Sequence, residues 1–96
     1  MDQPKVTRTV VVANRAGLHA RAALMVFNLA RTFQAKVEIV TDRQRASAND
    51  MLQLLSLGAG QGQELILEAT GADAQSALDA LAQLFTAGFH EDDRLG

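Results

Sequence analysis

A histidine and an arginine two residues apart, His19 and Arg21, follow a glycine-containing loop where an apolar helical pattern begins. The first turn of a helix has backbone N–H groups without partners and the positive end of the helix dipole, so it attracts anions. A phosphoryl group beside His19 would meet those N–H groups, the imidazole and the guanidinium together. These residues therefore predict a phosphoryl site with His19 as the nucleophile.

The backbone of the predicted first turn adds donors to this site. The N–H groups of Ala20, Arg21 and Ala22 are expected to point at the phosphoryl oxygens, and the helix dipole would favour the neutral ring that attacks phosphorus. These residues on their own also fit a simple polar helix cap beside a surface arginine. The local pattern leaves both interpretations open.

Apolar and turn-forming residues divide the chain into four predicted strands and three predicted helices. The strands are expected over 6–12, 36–41, 45–47 and 64–69, and the helices over 20–33, 51–57 and 72–87. Each helix offers one apolar stripe, which must be buried on a sheet. The order βαββαβα therefore predicts an α+β fold, a two-layer open-faced sandwich whose second sheet face stays partly solvated.

Local signals place several element ends. Ser47 to Asp50 match a capping box ahead of the apolar run that begins at Met51. Phe89 to Gly96 are expected to form a polar, frayed tail in which His90 is solvated. With 96 residues, the chain is expected to be a single domain over 1–96 with a core over about 5–88.

Composition excludes several classes of function. The net charge of −2 argues against a nucleic-acid binder, which needs a basic surface, and the absence of cysteine excludes disulfides and thiolate metal sites. No apolar stretch is long enough to span a membrane and the first residues do not resemble a signal peptide, so a cytoplasmic protein without direct membrane insertion is expected. An RNA-binding sheet would need stacking aromatics, but the chain has no Trp or Tyr and its predicted strands have no Phe.

The segment Gly17-Leu18-His19-Ala20-Arg21, with Ala23-Leu24 after it, resembles the phosphorylation site of HPr, the histidine-containing phosphocarrier of the bacterial phosphotransferase system. A second segment, MLQLLSLGAGQG over 51–62, is similar to the second helix of that family and its following loop, and 64–82 resembles its last strand and helix. The resemblance covers about 5–87. It implies the HPr-like fold, with an antiparallel sheet covered by helices on one face.

The resemblance also implies a function. His19 would be phosphorylated on Nδ1 by phosphorylated enzyme I, whose phosphoryl donor is phosphoenolpyruvate, and would pass the group to a sugar-specific enzyme II A component. Arg21 matches the arginine of the family's site and would stabilise the phosphoryl group. Such a protein is a stoichiometric carrier rather than an enzyme, needs no metal or cofactor, and is expected to be a monomer.

Two positions depart from the family pattern. Ala22 stands where the family has proline, and it is either simply a good helix former or it supplies an additional N–H to the His19 ring or the phosphoryl group. Asp50 stands where many HPr proteins have a regulatory serine. Its carboxylate is expected either to cap the second helix or to imitate a phosphoserine and weaken the docking of enzyme I.

Exposed aliphatic side chains near His19 are candidates for partner docking, namely Leu24, Met51 and Leu52, whereas Phe27 is expected in the core. The departures at Ala22 and Asp50 keep a second function open. The alternative is an HPr-like regulatory protein that is phosphorylated at His19 and controls partner proteins instead of sugar uptake.

Overall fold

The computed structural model describes residues 4–91. Its elements are four strands, three α-helices and a short 3₁₀ segment, in the expected order βαββαβα. They are β1 (Lys5–Val11), α1 (Ala20–Ala30), β2 (Lys36–Val40), β3 (Arg45–Ser47), α2 (Met51–Ser56), β4 (Glu64–Thr70), α3 (Ala74–Thr86) and the 3₁₀ segment Gly88–His90. The α+β open-faced sandwich predicted from the sequence is confirmed.

The four strands form one antiparallel sheet in the order β1-β4-β2-β3. Because strand side chains alternate between faces, Val10, Leu65 and Ile39 point to the helices and are buried. Ile66 and Val11 lie on the opposite face and are 42% and 47% exposed. One face of the sheet therefore packs on the helices and the other meets solvent.

The helices pack on the sheet with small and aliphatic residues. Helix α3 lies on β1 and β4 and contacts α1, which in turn contacts α2. The buried face of α3 contains every apolar residue expected there: Ala74, Ala77, Leu78, Leu81, Leu84 and Phe85. On α1 the buried residues are Ala22, Ala23, Val26 and Ala30, and Phe27 is half-buried with the Arg31 guanidinium 5.3 Å from its ring.

Asp73 explains why α1 ends earlier than predicted, and it is also the N-cap residue of α3. Its carboxylate accepts hydrogen bonds from the backbone N–H groups of Gln34 (2.9 Å) and Ala35 (2.8 Å). The chain leaves α1 at Ala30, three residues before the predicted end, and turns towards β2 through these contacts. Since the same carboxylate is engaged there, it makes no cap bond to α3, which begins at Ala74 and not at 72.

The capping box predicted from Ser47 is wrong by three residues. Asp50 is the N-cap of α2 and accepts a hydrogen bond from the backbone N–H of Gln53 at 3.1 Å. Ser47 belongs to β3, and its own N–H donates to the side chain of Gln53 at 2.8 Å. The predicted capping role of Asp50 therefore agrees with the structure.

The packed part of the chain continues beyond the predicted boundary at Gly88. Phe89 is fully buried, and its ring meets that of Phe85 edge-on with the ring centroids 4.9 Å apart. The expected frayed tail is thus wrong for Phe89 and Glu91, which pack against the domain, while His90 is exposed as expected. The rest of that tail, 92–96, lies outside the described residues.

Candidate functional site

His19 is the N-cap of α1, as the sequence predicts. Its backbone is extended (φ −77°, ψ −177°), its carbonyl accepts a hydrogen bond from the N–H of Ala23 at 2.8 Å, and its ring nitrogen Nδ1 accepts one from the N–H of Arg21 at 3.2 Å. The imidazole therefore satisfies one of the free donors of the first turn. Nδ1 lies at the positive end of the helix, where an anion bonded to it would be stabilised.

The other ring nitrogen of His19 contacts a carboxylate from the opposite end of the chain. Glu91 Oε2 contacts both His19 Nε2, as a hydrogen-bond partner, and Arg21 Nη2, as an ion-pair partner. A carboxylate accepts a hydrogen bond from Nε2, and Nδ1 already accepts one from Arg21, so both contacts select the tautomer protonated on Nε2. Nδ1 then keeps its lone pair, which is the requirement for a nucleophile.

Glu91 is held ionised by its neighbours. Its side chain is 9% exposed, and Asn14 Nδ2 donates to Oε1 at 3.0 Å. This hydrogen bond is the largest cause that lowers the pKa of the Glu91 carboxyl below its usual 4.5, and His19 and Arg21 add to it against the opposing effect of burial. The site thus contains a carboxylate at neutral pH.

The loop before His19 is fixed by a close contact with the loop that follows α2. Leu18 is buried, and its N–H donates to the carbonyl of Ala59 at 2.9 Å. Gly17 has φ +73°, and a Cβ at this position would lie 2.5 Å from the same carbonyl oxygen. Glycine is required here both by the backbone conformation and by the lack of space.

Arg21 lies beside the ring and remains open to partners. Its side chain is 57% exposed, and its guanidinium contacts Glu91 and the sulfur of Met25, the latter at 4.0 Å. The N–H that reaches the His19 ring belongs to Arg21 and not to Ala22, which leaves the phosphoryl group as the remaining acceptor proposed for the N–H of Ala22. A phosphoryl group on Nδ1 would lie within the first turn of α1, beside a guanidinium.

The candidate docking residues lie on α1 and α2, which pack together. Leu52 is 80% exposed, Leu24 is 46% exposed and Met51 is half-buried. Leu55, at 40% exposure, extends this apolar surface and was not singled out from the sequence. Its place in a helical repeat, three residues after Leu52, could have indicated it.

Sequence reasoning missed Asn14 and Glu91. Asn14 lies in the loop expected between the first strand and the first helix, and Glu91 lies in the expected polar tail. The signal that could have found Glu91 is Phe89, a large apolar residue in a polar segment, because its burial fixes the residues next to it.

Within residues 4–91, no group of three or more His, Cys, Asp or Glu side chains is placed to hold a metal ion. No helix in this part of the chain is long and apolar enough to cross a bilayer. The groups that the structure brings together at the site are an imidazole, a guanidinium, a carboxylate and a helix N-terminus.

Comparisons with known proteins point to one family. Residues 6–87 match the family model described as the PTS HPr component phosphorylation site. The phosphocarrier protein NPr of Shewanella violacea is 44% identical over 87 residues, covering 91% of this chain and 96% of the relative. NPr of Escherichia coli K12 is 40% identical over 88 residues, covering 91% and 98%.

A solved structure extends the similarity to three dimensions. The crystal structure of HPr-C-His from Thermoanaerobacter tengcongensis superimposes with a TM-score of 0.86 at 31% identity, covering 91% of this chain and 98% of that one. The match of the family model over most of the chain, the relatives and the shared fold lead to one conclusion. The chain belongs to the HPr family of phosphocarrier proteins.

Proposed function

We propose that His19 accepts a phosphoryl group on Nδ1 from phosphorylated enzyme I and passes it to an enzyme II A acceptor. The observation that carries this proposal is the position of Nδ1. Its lone pair faces the N-terminus of α1, where it accepts a hydrogen bond from the N–H of Arg21. The reaction with phosphoenolpyruvate as the original donor would take place in the cytoplasm.

The transfer needs no proton movement on the ring. Nδ1 attacks phosphorus, the new N–P bond forms, and the bond between phosphorus and enzyme I breaks with its electron pair returning to that enzyme. Nε2 keeps its proton and its Glu91 acceptor throughout. The protein therefore contributes orientation and charge stabilisation, which are the main protein contributions to phosphoryl transfer.

Charge stabilisation would come from Arg21 and the first turn of α1. In the unphosphorylated protein the guanidinium contacts Glu91, and its exposed position leaves it able to turn towards a phosphoryl group. The N–H of Arg21, which bonds Nδ1, becomes free for a phosphoryl oxygen once Nδ1 carries phosphorus. The N–H groups of Ala20 and Ala22 are proposed as further donors.

Phosphorylation of ¹⁵N-labelled protein with enzyme I and phosphoenolpyruvate tests which nitrogen reacts. A ³¹P–¹⁵N coupling to Nδ1 of His19 is the expected result. A coupling to Nε2, or no phosphorylated histidine, would overturn the proposal. Spectra must be recorded in alkaline solution because phosphohistidine hydrolyses in acid.

A regulatory phosphocarrier is the second candidate, and Asp50 is the observation that favours it. This permanent carboxylate lies at the start of α2, directly before the proposed docking residues Met51 and Leu52. A negative charge there would weaken the approach of enzyme I if the facing surface is acidic.

Asp50→Ser separates the capping role from the charge, since serine also caps helices. If the charge restrains docking, enzyme I should phosphorylate this variant faster than the original protein. Asp42→Ser, an exposed change in the β2–β3 turn, is the matched control and should leave the rate unchanged. Equal rates for Asp50→Ser and the original protein would contradict the regulatory interpretation of this residue.

A further inference from the structure

We propose that Asn14 is a positioning residue for phosphoryl transfer, and that it acts on His19 through Glu91. The inference rests on the proposed function of His19. Asn14 is 1% exposed, and its Nδ2 donates both to the carbonyl of Gly17 at 2.8 Å and to Glu91 Oε1 at 3.0 Å. The single amide group therefore joins the loop before His19 to the carboxylate beside its ring.

Burial of the Asn14 amide costs stability, because only its nitrogen finds hydrogen-bond partners among the described residues. Oδ1 of Asn14 is buried and has no hydrogen-bond partner among the described residues. A buried amide oxygen without a partner destabilises the folded protein, and an apolar side chain of similar size would avoid this cost. The two contacts of Nδ2 are thus what an asparagine offers at this position and a leucine does not.

The two oxygens of the Glu91 carboxylate contact different residues. Oε1 accepts from Asn14, while Oε2 contacts His19 Nε2 and Arg21. With Oε1 fixed, rotation of the carboxylate is restricted and Oε2 stays in line with Nε2. Asn14 thereby helps to keep the proton on Nε2 and the lone pair on Nδ1.

The backbone around Glu91 supports the same function. Gly88, Phe89 and His90 have φ values of 60°, 56° and 61°, a left-handed turn that is unfavourable for the two residues with side chains. Buried Phe89 anchors this turn, and the N–H of Glu91 donates to the carbonyl of Gly88 at 3.1 Å. Gly88 in turn lies against Asn14, since a Cβ on the glycine would be 3.7 Å from the Asn14 Cβ.

The tautomer of His19 provides a direct readout in the unphosphorylated protein. ¹⁵N shifts of the neutral ring, measured in alkaline solution, report the ratio of the Nε2–H form to the Nδ1–H form. For Asn14→Leu this ratio should fall about threefold to tenfold, which is the effect of one ordinary net hydrogen bond, because Asn14 acts on the ring only through Glu91. The kcat/KM for phosphorylation by enzyme I should also fall, by at most the same factor, because the rate follows the fraction of rings in the Nε2–H form.

Gln61→Leu is the matched control. Gln61 also donates a side-chain amide hydrogen bond to this loop, to the carbonyl of Ala13 at 3.2 Å, and makes no described contact with Glu91. This change should leave both the tautomer ratio and kcat/KM unchanged. Asn14→Asp retains the shape of the side chain without the amide donor, and it should move the ratio in the same direction. It replaces Asn14→Leu in the test if that variant does not fold.

A Glu91→Ala background decides whether Asn14 acts through the carboxylate. There, Asn14→Leu should change the tautomer ratio no further, because the contact between the two residues is already absent. A ratio that is the same in Asn14→Leu and the original protein would overturn the inference, as would an undiminished effect in the Glu91→Ala background. A further outcome is that the variants show the predicted change in tautomer ratio while the original protein accepts no phosphoryl group. In that case the proposed function fails and the positioning of the ring by Asn14 stands.

Discussion

The imidazole of His19 is held at both nitrogens, by one contact from its own helix and one from the end of the chain. Nδ1 accepts from the backbone of Arg21, a residue only two positions away; the helix-start pattern predicted that His19 caps the helix, but not which N–H reaches its ring. Glu91 is 72 residues away from His19, and its contact depends on how the whole chain folds. Local spacing contains no information on that contact, which is why Glu91 was assigned to a frayed tail.

Arg21 is expected to stabilise the phosphoryl group through its planar pair of N–H donors. Arg21→Lys keeps the charge but loses the paired donors, so kcat/KM for phosphorylation by enzyme I should fall about tenfold or more. Arg31→Lys, at the C-cap of the same helix, is the control and should keep the original rate. A normal rate for Arg21→Lys would show that a positive charge alone is sufficient.

At the scale of elements, the start of α1 agrees with the prediction from its N-cap His19, whereas its end depends on Asp73, which is distant in sequence. The pattern of apolar residues continues to Phe33, whereas Asp73 binds the next backbone N–H groups and directs the chain into β2. The same applies to α2, whose cap is Asp50 and not Ser47 because Ser47 pairs in the sheet. Periodicity therefore predicts which elements exist, while competing tertiary hydrogen bonds decide their ends.

The contact between Gly17 and the Ala59 carbonyl positions the first turn of α1, and Gly17→Ala tests it. The added methyl group would clash with that carbonyl in an unfavourable backbone conformation, so the free energy of unfolding should fall by about 2–4 kcal/mol. Gly60→Ala is the control, since no atom lies within 4 Å of the added Cβ, and it should change stability by less than about 0.5 kcal/mol. Chemical denaturation measures both, and equal stabilities would refute the packing argument.

At the scale of the whole molecule, the face of the sheet that meets solvent has a network of ion pairs, whereas the helices cover the other face. On the solvent face, Glu68 and Glu38 lie directly opposite each other on β4 and β2. Arg45 contacts both carboxylates, at 2.7 Å and 3.0 Å, and Lys5 contacts Glu68 at 3.3 Å. These cations offset the repulsion between the two carboxylates, an arrangement that strand alternation could not reveal before the register of the sheet was known.

This ion-pair network predicts how stability depends on pH. The hydrogen bond from Arg45, with a smaller one from Lys5, lowers the pKa of the Glu68 carboxyl below its usual 4.5. A carboxyl whose pKa is lower in the folded state contributes stability above the unfolded-state pKa and loses it as the pH falls through the folded-state value. The free energy of unfolding should therefore decrease below about pH 4.5, and less steeply in Glu68→Gln.

Glu64→Gln provides the comparison for this prediction. Glu64 lies on the same strand and makes no ion pair among residues 4–91, so its variant should retain the steep loss of stability in acid. Denaturation curves recorded between neutral and acidic pH would separate the two variants. Identical acid profiles for Glu68→Gln and the original protein would exclude a contribution from the network.

The central claim is that His19 of this HPr-family protein receives a phosphoryl group from enzyme I. Incubation with enzyme I and phosphoenolpyruvate, followed by intact-mass spectrometry under non-acidic conditions, tests it most directly. The original protein should gain the mass of one phosphoryl group, and His19→Ala should gain none. An unlabelled original protein, or undiminished labelling of His19→Ala, would contradict the assignment.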